Sequence, residues 1–147
     1  MVKGEPITVL LVEDDAAHAE IVRRNLETCR VANRMIHVED GQAALDYLFR
    51  RNSYADTDAY PRPDLVLLDL RLPKVDGLEV LRQIREDEEL KGLPTVVLTT
   101  SNAEADVVNA YTQGVSGYLV KPVDFEKFTQ LMEAFGFYWL AWNRFPD

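Results

Sequence analysis

Three acidic side chains follow directly on apolar runs of the length that forms buried strands. Glu13 and Asp14 follow residues 9–12, and Asp69 follows residues 65–68. In an open parallel sheet the carboxyl ends of the strands share one edge, where ligands bind. Three carboxylates there would repel one another by roughly 4 kcal/mol for each close pair, which a divalent cation would relieve. Oxygen ligands favour Mg²⁺ or a similar hard ion over zinc, although acids at strand ends are also ordinary surface residues.

Two further apolar runs end in groups that suit an anion. Hydroxyl groups follow the fourth run, at Thr99, Thr100 and Ser101, and an ammonium group follows the fifth, at Lys121. Together with a metal, these groups suit a phosphoryl group, with Asp69 as nucleophile, Lys121 holding the oxygens and Thr99 donating a hydrogen bond. A structural ion pair is the alternative for Lys121, because such pairs are common.

Five apolar runs alternate with segments of helical periodicity along the chain. The runs predict strands at residues 7–12, 35–38, 65–68, 95–98 and 118–120. Apolar residues at helical spacing predict a helix after the first strand and others at residues 41–51, 78–90, 101–114 and from 124 onward. This alternation implies a doubly wound α/β fold, with a five-stranded parallel sheet and helices on both faces.

Local signals mark the faces and ends of these helices. The apolar stripe of the first helix consists of Ala19, Val22, Leu26 and Cys29. Ser101 and Glu104 have the spacing of a capping box at the start of the fourth helix, and Asp124 is an N-cap candidate for the fifth. Two pairs in the third helix have the spacing of i,i+4 ion pairs, Arg82 with Glu86 and Arg85 with Glu89.

Length, charge and composition bound the function. With 147 residues, of which 47% are hydrophobic, the chain fits one domain with a sizeable core. A formal net charge of −9 argues against a nucleic-acid partner, which needs clustered Lys and Arg. No apolar run approaches the ~20 residues of a membrane span, and a single cysteine suits a reducing compartment. We therefore expect a cytoplasmic protein without a nucleic-acid or membrane partner.

Four motifs together carry a family resemblance, at residues 12–15, 67–77, 98–101 and 118–122. In this order and spacing they resemble the receiver domain of two-component response regulators, over about residues 7–131. The resemblance implies the flavodoxin-like strand order 2-1-3-4-5. It also implies that Asp69 accepts a phosphoryl group from a histidine kinase in a Mg²⁺-dependent reaction. Such a protein is a signalling protein rather than an enzyme, since its only chemistry is its own phosphorylation and dephosphorylation.

The resemblance further implies roles for the groups around Asp69. Asp14 and Asp69 would bind Mg²⁺ together with the backbone carbonyl of Arg71, and Glu13 would help through water. Lys121 would pair with Asp69 or with its phosphate.

A second set of residues resembles the family's switch. Phosphorylation adds about −1.5 to −2 charges, toward which Thr99 would move, and Tyr118 would then turn inward. The face formed by the fourth helix, the fifth strand and the fifth helix would change its affinity for partners. Arg71, Thr100 and Ser101 occupy positions that, in the family, tune the lifetime of the phosphate.

An aromatic segment follows the receiver motifs. Residues 135–147 form a C-terminal extension whose cluster consists of Phe135, Phe137, Tyr138, Trp139 and Trp142. A cluster of this size either packs on the domain or is buried against a partner, for which we favour a homodimer. The extension and the loop at residues 60–64 together resemble single-domain regulators paired with bacterial phytochromes. We therefore expect residues 1–147 to be a single receiver domain that acts without an output domain, in phytochrome light signalling.

Three other classes of protein fit less well. An aspartyl phosphohydrolase would need a second acid two residues after the nucleophile, where this chain has Arg71. A binding scaffold that never carries phosphate is disfavoured because the chain keeps all four of Asp14, Asp69, Thr99 and Lys121. A flavin carrier shares the fold class, but the three acids would repel a flavin phosphate.

Overall fold

The computed structural model describes residues 6–29, 31–136 and 139. Its five parallel strands lie in the order β2-β1-β3-β4-β5, as predicted. They are β1 (Ile7–Val12), β2 (Asn33–Val38), β3 (Leu65–Leu68), β4 (Thr95–Thr99) and β5 (Gly117–Val120). In the register, Val12 pairs with Leu68, and Thr99 pairs with Val120. The residues that follow these strands therefore emerge at one edge of the sheet.

Five α-helices connect and flank the strands. They are α1 (Ala16–Glu27), α2 (Gly41–Leu48), α3 (Gly77–Glu86), α4 (Glu104–Thr112) and α5 (Phe125–Phe135), with a short 3₁₀ helix at Asn52–Tyr54. Asp124 caps α5 as predicted, because its side chain accepts from the N–H groups of Glu126 and Lys127. Among the described residues, no helix has the length and apolar character needed to cross a membrane.

Alternate residues of the strands supply two cores, one on each face of the sheet. Leu10, Val66 and Leu68 pack with buried residues of α2, α3 and α4. Val9 and Leu67 lie on the opposite face and pack with buried residues of α1 and α5. Because both faces are covered, the central strands are apolar throughout, which is typical of parallel sheets. The predicted doubly wound arrangement is confirmed.

Three helices end earlier than predicted. The helix predicted at residues 41–51 ends at Leu48. The helix predicted at residues 78–90 ends at Glu86, because the side chain of Asp87 accepts from the N–H groups of Glu89 and Leu90 and opens a separate turn. Cys29 lies beyond the end of α1, although Ala19, Val22 and Leu26 form the predicted stripe.

Two predicted local contacts are wrong. The N-cap of α4 is Ala103, which makes no side-chain cap, because the Ser101 hydroxyl donates to Asp106 instead of capping the helix. Arg85 does not pair with Glu89. It donates to the carbonyl oxygens of Leu93 and Gly114, at 2.8 and 3.0 Å. The other predicted pair of α3, Arg82 with Glu86, is present.

Candidate functional site

Asp69 lies at the carboxyl end of β3 and is buried, with 7% of its surface exposed. Its N–H donates to the carbonyl of Val12 at 3.1 Å, which fixes it beside the end of β1. A side chain at position 77 would place a Cβ atom only 2.3 Å from the carbonyl oxygen of Asp69. Gly77 is therefore required for α3 to begin this close to the strand end.

Lys121 connects the carboxylates of two strands. Its Nζ donates to Asp69 Oδ2 at 3.1 Å and to Glu13 Oε1. A third contact runs to His18 Nδ1, also at 3.1 Å. Lys121 and Glu13 are 4% and 1% exposed, so this ion pair is almost fully withdrawn from water. An ammonium group has three donors, and here two of them reach carboxylate oxygens.

Glu13 has an unusual protonation equilibrium. Burial raises the pKa of its carboxyl to about 7, although the ammonium of Lys121 acts in the opposite direction. The second carboxylate oxygen accepts from the Asp15 N–H at 3.1 Å. In the metal-free protein the Glu13 carboxyl is therefore partly protonated near pH 7.

Glu13, Asp14 and Asp69 can together hold a cation. One carboxylate oxygen from each lies within 4.8 Å of the others, and Asp14 is exposed to solvent at the mouth of the site. The donor set is oxygen only, which fits a hard divalent ion. Arg71, whose backbone carbonyl is the fourth predicted ligand, lies next to the site because its N–H donates to Asp69 Oδ1 at 3.2 Å.

Thr99 and Tyr118 both contact the loop that follows β4. Thr99 is fully buried, and its hydroxyl oxygen accepts from the Ser101 N–H at 3.4 Å. Tyr118 is half-buried, and its hydroxyl donates to the Ser101 carbonyl at 2.8 Å. Burial raises the pKa of the Tyr118 phenol, which keeps that hydroxyl a donor. Thr100, in the same loop, is exposed.

Sequence reasoning missed two residues that contact the predicted set. His18 lies in the first turn of α1, from which it reaches Lys121, and its ring packs against Phe128 with centroids 5.4 Å apart. Asp106 lies in the first turn of α4 and accepts from the side chains of both Arg71 and Ser101. The one available signal was their position in the first turn of a helix that starts at the carboxyl edge of the sheet.

The aromatic extension is described at two of its predicted positions. Phe135 is buried in the core between α1 and α5, and Trp139 is half-buried and stacks on it with ring centroids 6.2 Å apart. These two residues pack on their own domain, which is one of the two predicted alternatives. Phe137, Tyr138 and Trp142 lie outside the described residues.

Comparisons with known proteins agree with this geometry. The model of the response regulator receiver domain family matches residues 9–133. The chain is 47% identical over 142 residues to the probable methanogenesis regulatory protein FilR2 of Methanothrix harundinacea, covering 97% of this chain and 89% of that protein. It is 39% identical over 141 residues to response regulator Rcp1 of Synechocystis, covering 96% of this chain and 94% of Rcp1.

Two solved structures are similar over nearly the whole chain. The Mn²⁺-bound form of Rcp1 has a TM-score of 0.92 at 38% identity, covering 97% of this chain and 100% of that one. The phosphorylated cyanobacterial phytochrome response regulator RcpA has a TM-score of 0.91 at 36% identity, with the same coverage. One of these similar structures thus carries a divalent metal, and the other carries phosphate.

Proposed function

Because the chain belongs to the response regulator receiver family, whose members are signalling proteins, we propose that Asp69 accepts a phosphoryl group from a histidine kinase. The observation that carries the proposal is the contact between Asp69 Oδ2 and Lys121 Nζ at 3.1 Å, beside two further carboxylates. The proposed nucleophile, its counter-charge and the proposed cation site would thus share one small region at the edge of the sheet.

The transfer is a displacement at phosphorus. A carboxylate oxygen of Asp69 attacks the phosphorus, the bond from phosphorus to the donor imidazole nitrogen breaks, and the electron pair leaves with that nitrogen. Lys121 holds the carboxylate before the step and balances the phosphoryl charge after it, because its burial keeps water from competing for the ammonium. Thr99 donates its hydroxyl to a phosphoryl oxygen.

We propose Mg²⁺ as the ion of the carboxylate cluster. Asp14, Asp69 and the backbone carbonyl of Arg71 would hold it, and Glu13 would contribute through water. When bound, it supplies charge neutralisation to the oxygens of the transferring group. The support from this chain is the oxygen-only donor set of three carboxylates within 4.8 Å.

We propose that the loop after β4 carries the signal outward. Thr99 would turn toward a phosphoryl oxygen, and its present contact with the Ser101 N–H links that movement to the loop. Tyr118 follows the loop, because its hydroxyl is bonded to the Ser101 carbonyl. The elements next to this loop, α4, β5 and the start of α5, expose large apolar side chains at Val108, Tyr111, Val120, Val123 and Phe125. Exposed apolar side chains of this kind suit a protein partner.

The proposal also extends to the kinase that supplies the phosphoryl group. Similarity over 97% of the chain to RcpA, a phytochrome response regulator, supports a bacterial phytochrome as the kinase. We further propose that the chain acts in the cytoplasm as a single receiver domain. It would form a homodimer through aromatic residues of the extension, and sedimentation of the full chain with and without phosphorylation measures that assembly.

Phosphorylation by a small donor tests the proposal without the kinase. Wild-type protein incubated with acetyl phosphate and Mg²⁺ is expected to gain one phosphoryl group by intact mass, and EDTA or Asp69→Asn should abolish the gain. Asp76→Asn is the matched control, because Asp76 is exposed in the loop that follows β3 and makes no side-chain cap. Absence of an adduct would favour the binding scaffold, and turnover of small phosphate esters would favour the hydrolase.

A further inference from the structure

Asp106 forms a polar contact between α4 and the loop that carries the phosphoryl acceptor. Its Oδ2 accepts from the guanidinium of Arg71, two residues after Asp69, and from the Ser101 hydroxyl at 2.5 Å. Asp106 is 8% exposed, whereas the side chain of Arg71 is 57% exposed. One buried carboxylate on a helix therefore holds two residues that belong to two different loops of the site.

We infer that Asp106 is a positioning residue that holds Arg71 away from the phosphoryl group and so sets how long the phosphate persists. The inference rests on the proposed phosphorylation of Asp69. Arg71 begins at the edge of the site, since its N–H donates to Asp69 Oδ1 at 3.2 Å. Its side chain nevertheless turns to α4 rather than across the site, and Asp106 is the acceptor that the structure gives it there.

Release of Arg71 would place a cation beside a dianion. A phosphoryl group carries about −1.5 to −2 charges near neutral pH, and the planar guanidinium matches phosphate oxygens. Loss of the phosphate proceeds when a water oxygen attacks phosphorus and the bond from phosphorus to the Asp69 oxygen breaks. The electron pair returns to the carboxylate, and both protons of the water leave with the phosphate as dihydrogen phosphate. A guanidinium lying over the phosphorus obstructs that attack, so freeing Arg71 should slow hydrolysis.

Asp106→Asn tests this directly. Asparagine has the shape of aspartate and keeps an oxygen that accepts the Ser101 hydroxyl, but it cannot form an ion pair with Arg71. We expect the phosphorylated variant to lose its phosphate at least about threefold more slowly than wild type. Removing one of two groups in direct contact typically changes the contribution of the other by about this factor or more. Glu104→Gln is the matched control, because Glu104 lies in the same first turn of α4 and is exposed.

A double-mutant cycle separates positioning from a merely structural effect. If Asp106 acts through Arg71, then Asp106→Asn should have no further effect on the hydrolysis rate when Arg71→Ala is already present. A slowing that persists in the Arg71→Ala background would overturn the inference. The inference would also be overturned if Asp106→Asn lost its phosphate at the same rate as wild type and Glu104→Gln.

A second measurement needs no phosphate. The side-chain N–H resonances of Arg71 should show an ordered guanidinium in the wild type and in Glu104→Gln, and a mobile one in Asp106→Asn. Unchanged resonances in Asp106→Asn would refute the positioning role on their own. The two proposals can fail separately. If wild-type protein takes up no phosphate, the proposed phosphorylation fails. If Asp106→Asn nevertheless makes the Arg71 guanidinium mobile, the contact between Asp106 and Arg71 stands.

Discussion

Replacing Glu13 by glutamine should remove the pH-dependent loss of stability that this buried carboxyl causes in the metal-free protein. The Glu13 carboxyl is 1% exposed, and burial raises its pKa from the ordinary 4.5 to about 7. The folded protein therefore binds this proton more tightly than the unfolded chain does. Between the two pKa values the folded state carries the extra proton, so the free energy of unfolding falls as pH rises.

The size of the effect follows from the two pKa values. At about 1.4 kcal/mol for each unit, the shift corresponds to a total of about 3 kcal/mol. The full benefit is present below pH 4.5 and is lost by the time the pH has passed about 7. About 2.5 kcal/mol of it is lost between about pH 5 and about pH 8.

Urea unfolding of wild type and Glu13→Gln in EDTA measures this loss. The free energy of unfolding of wild type relative to Glu13→Gln is expected to fall by about 2.5 kcal/mol across that range, whatever constant offset the lost Lys121 contact adds. Glu133→Gln is the control, because Glu133 is exposed on α5 and far along the chain from the site. Parallel pH profiles for wild type and Glu13→Gln would refute the reasoning, because they would mean that burial does not favour the protonated acid.

Three further substitutions test the fold that holds the site. Gly77→Ala should reduce phosphorylation by acetyl phosphate, because its Cβ would lie 2.3 Å from the carbonyl oxygen of Asp69, and a normal mass gain would contradict this. Phe128→Ala should lower the free energy of unfolding by about 3–5 kcal/mol, since the side chain is fully buried between α1 and α5. Asp124→Ala should cost about 1 kcal/mol through the lost cap of α5, which urea unfolding would detect.

The strands and the residues at their carboxyl ends could be predicted from the sequence. Runs that are apolar at every position occur where both faces of a strand are covered, and parallel strands all end at one edge. For that reason the order of the elements was enough to predict that Asp69, Glu13 and Lys121 lie close together. The strand register confirms the common edge.

Contacts that depend on loop conformation could not be predicted in the same way. Ser101 has the spacing of a capping residue, yet its hydroxyl donates to Asp106, because the loop after β4 places it beside that carboxylate. Arg85 has the spacing to pair with Glu89, but α3 ends before that residue, and the guanidinium reaches the carbonyls of Leu93 and Gly114 instead. Periodicity describes one element, whereas these partners belong to neighbouring ones.

The most direct test of the central claim is chemical mapping of the phosphorylated residue. Borohydride reduces an aspartyl phosphate to homoserine, which marks the acceptor permanently, and peptide mass spectrometry then locates it. Treatment with acetyl phosphate and Mg²⁺ followed by borohydride is expected to give homoserine at position 69 alone, and none when EDTA is present. Homoserine at another position, including that of the neighbouring acid Asp14, or no homoserine at all would contradict the assignment of Asp69 as the phosphoryl acceptor.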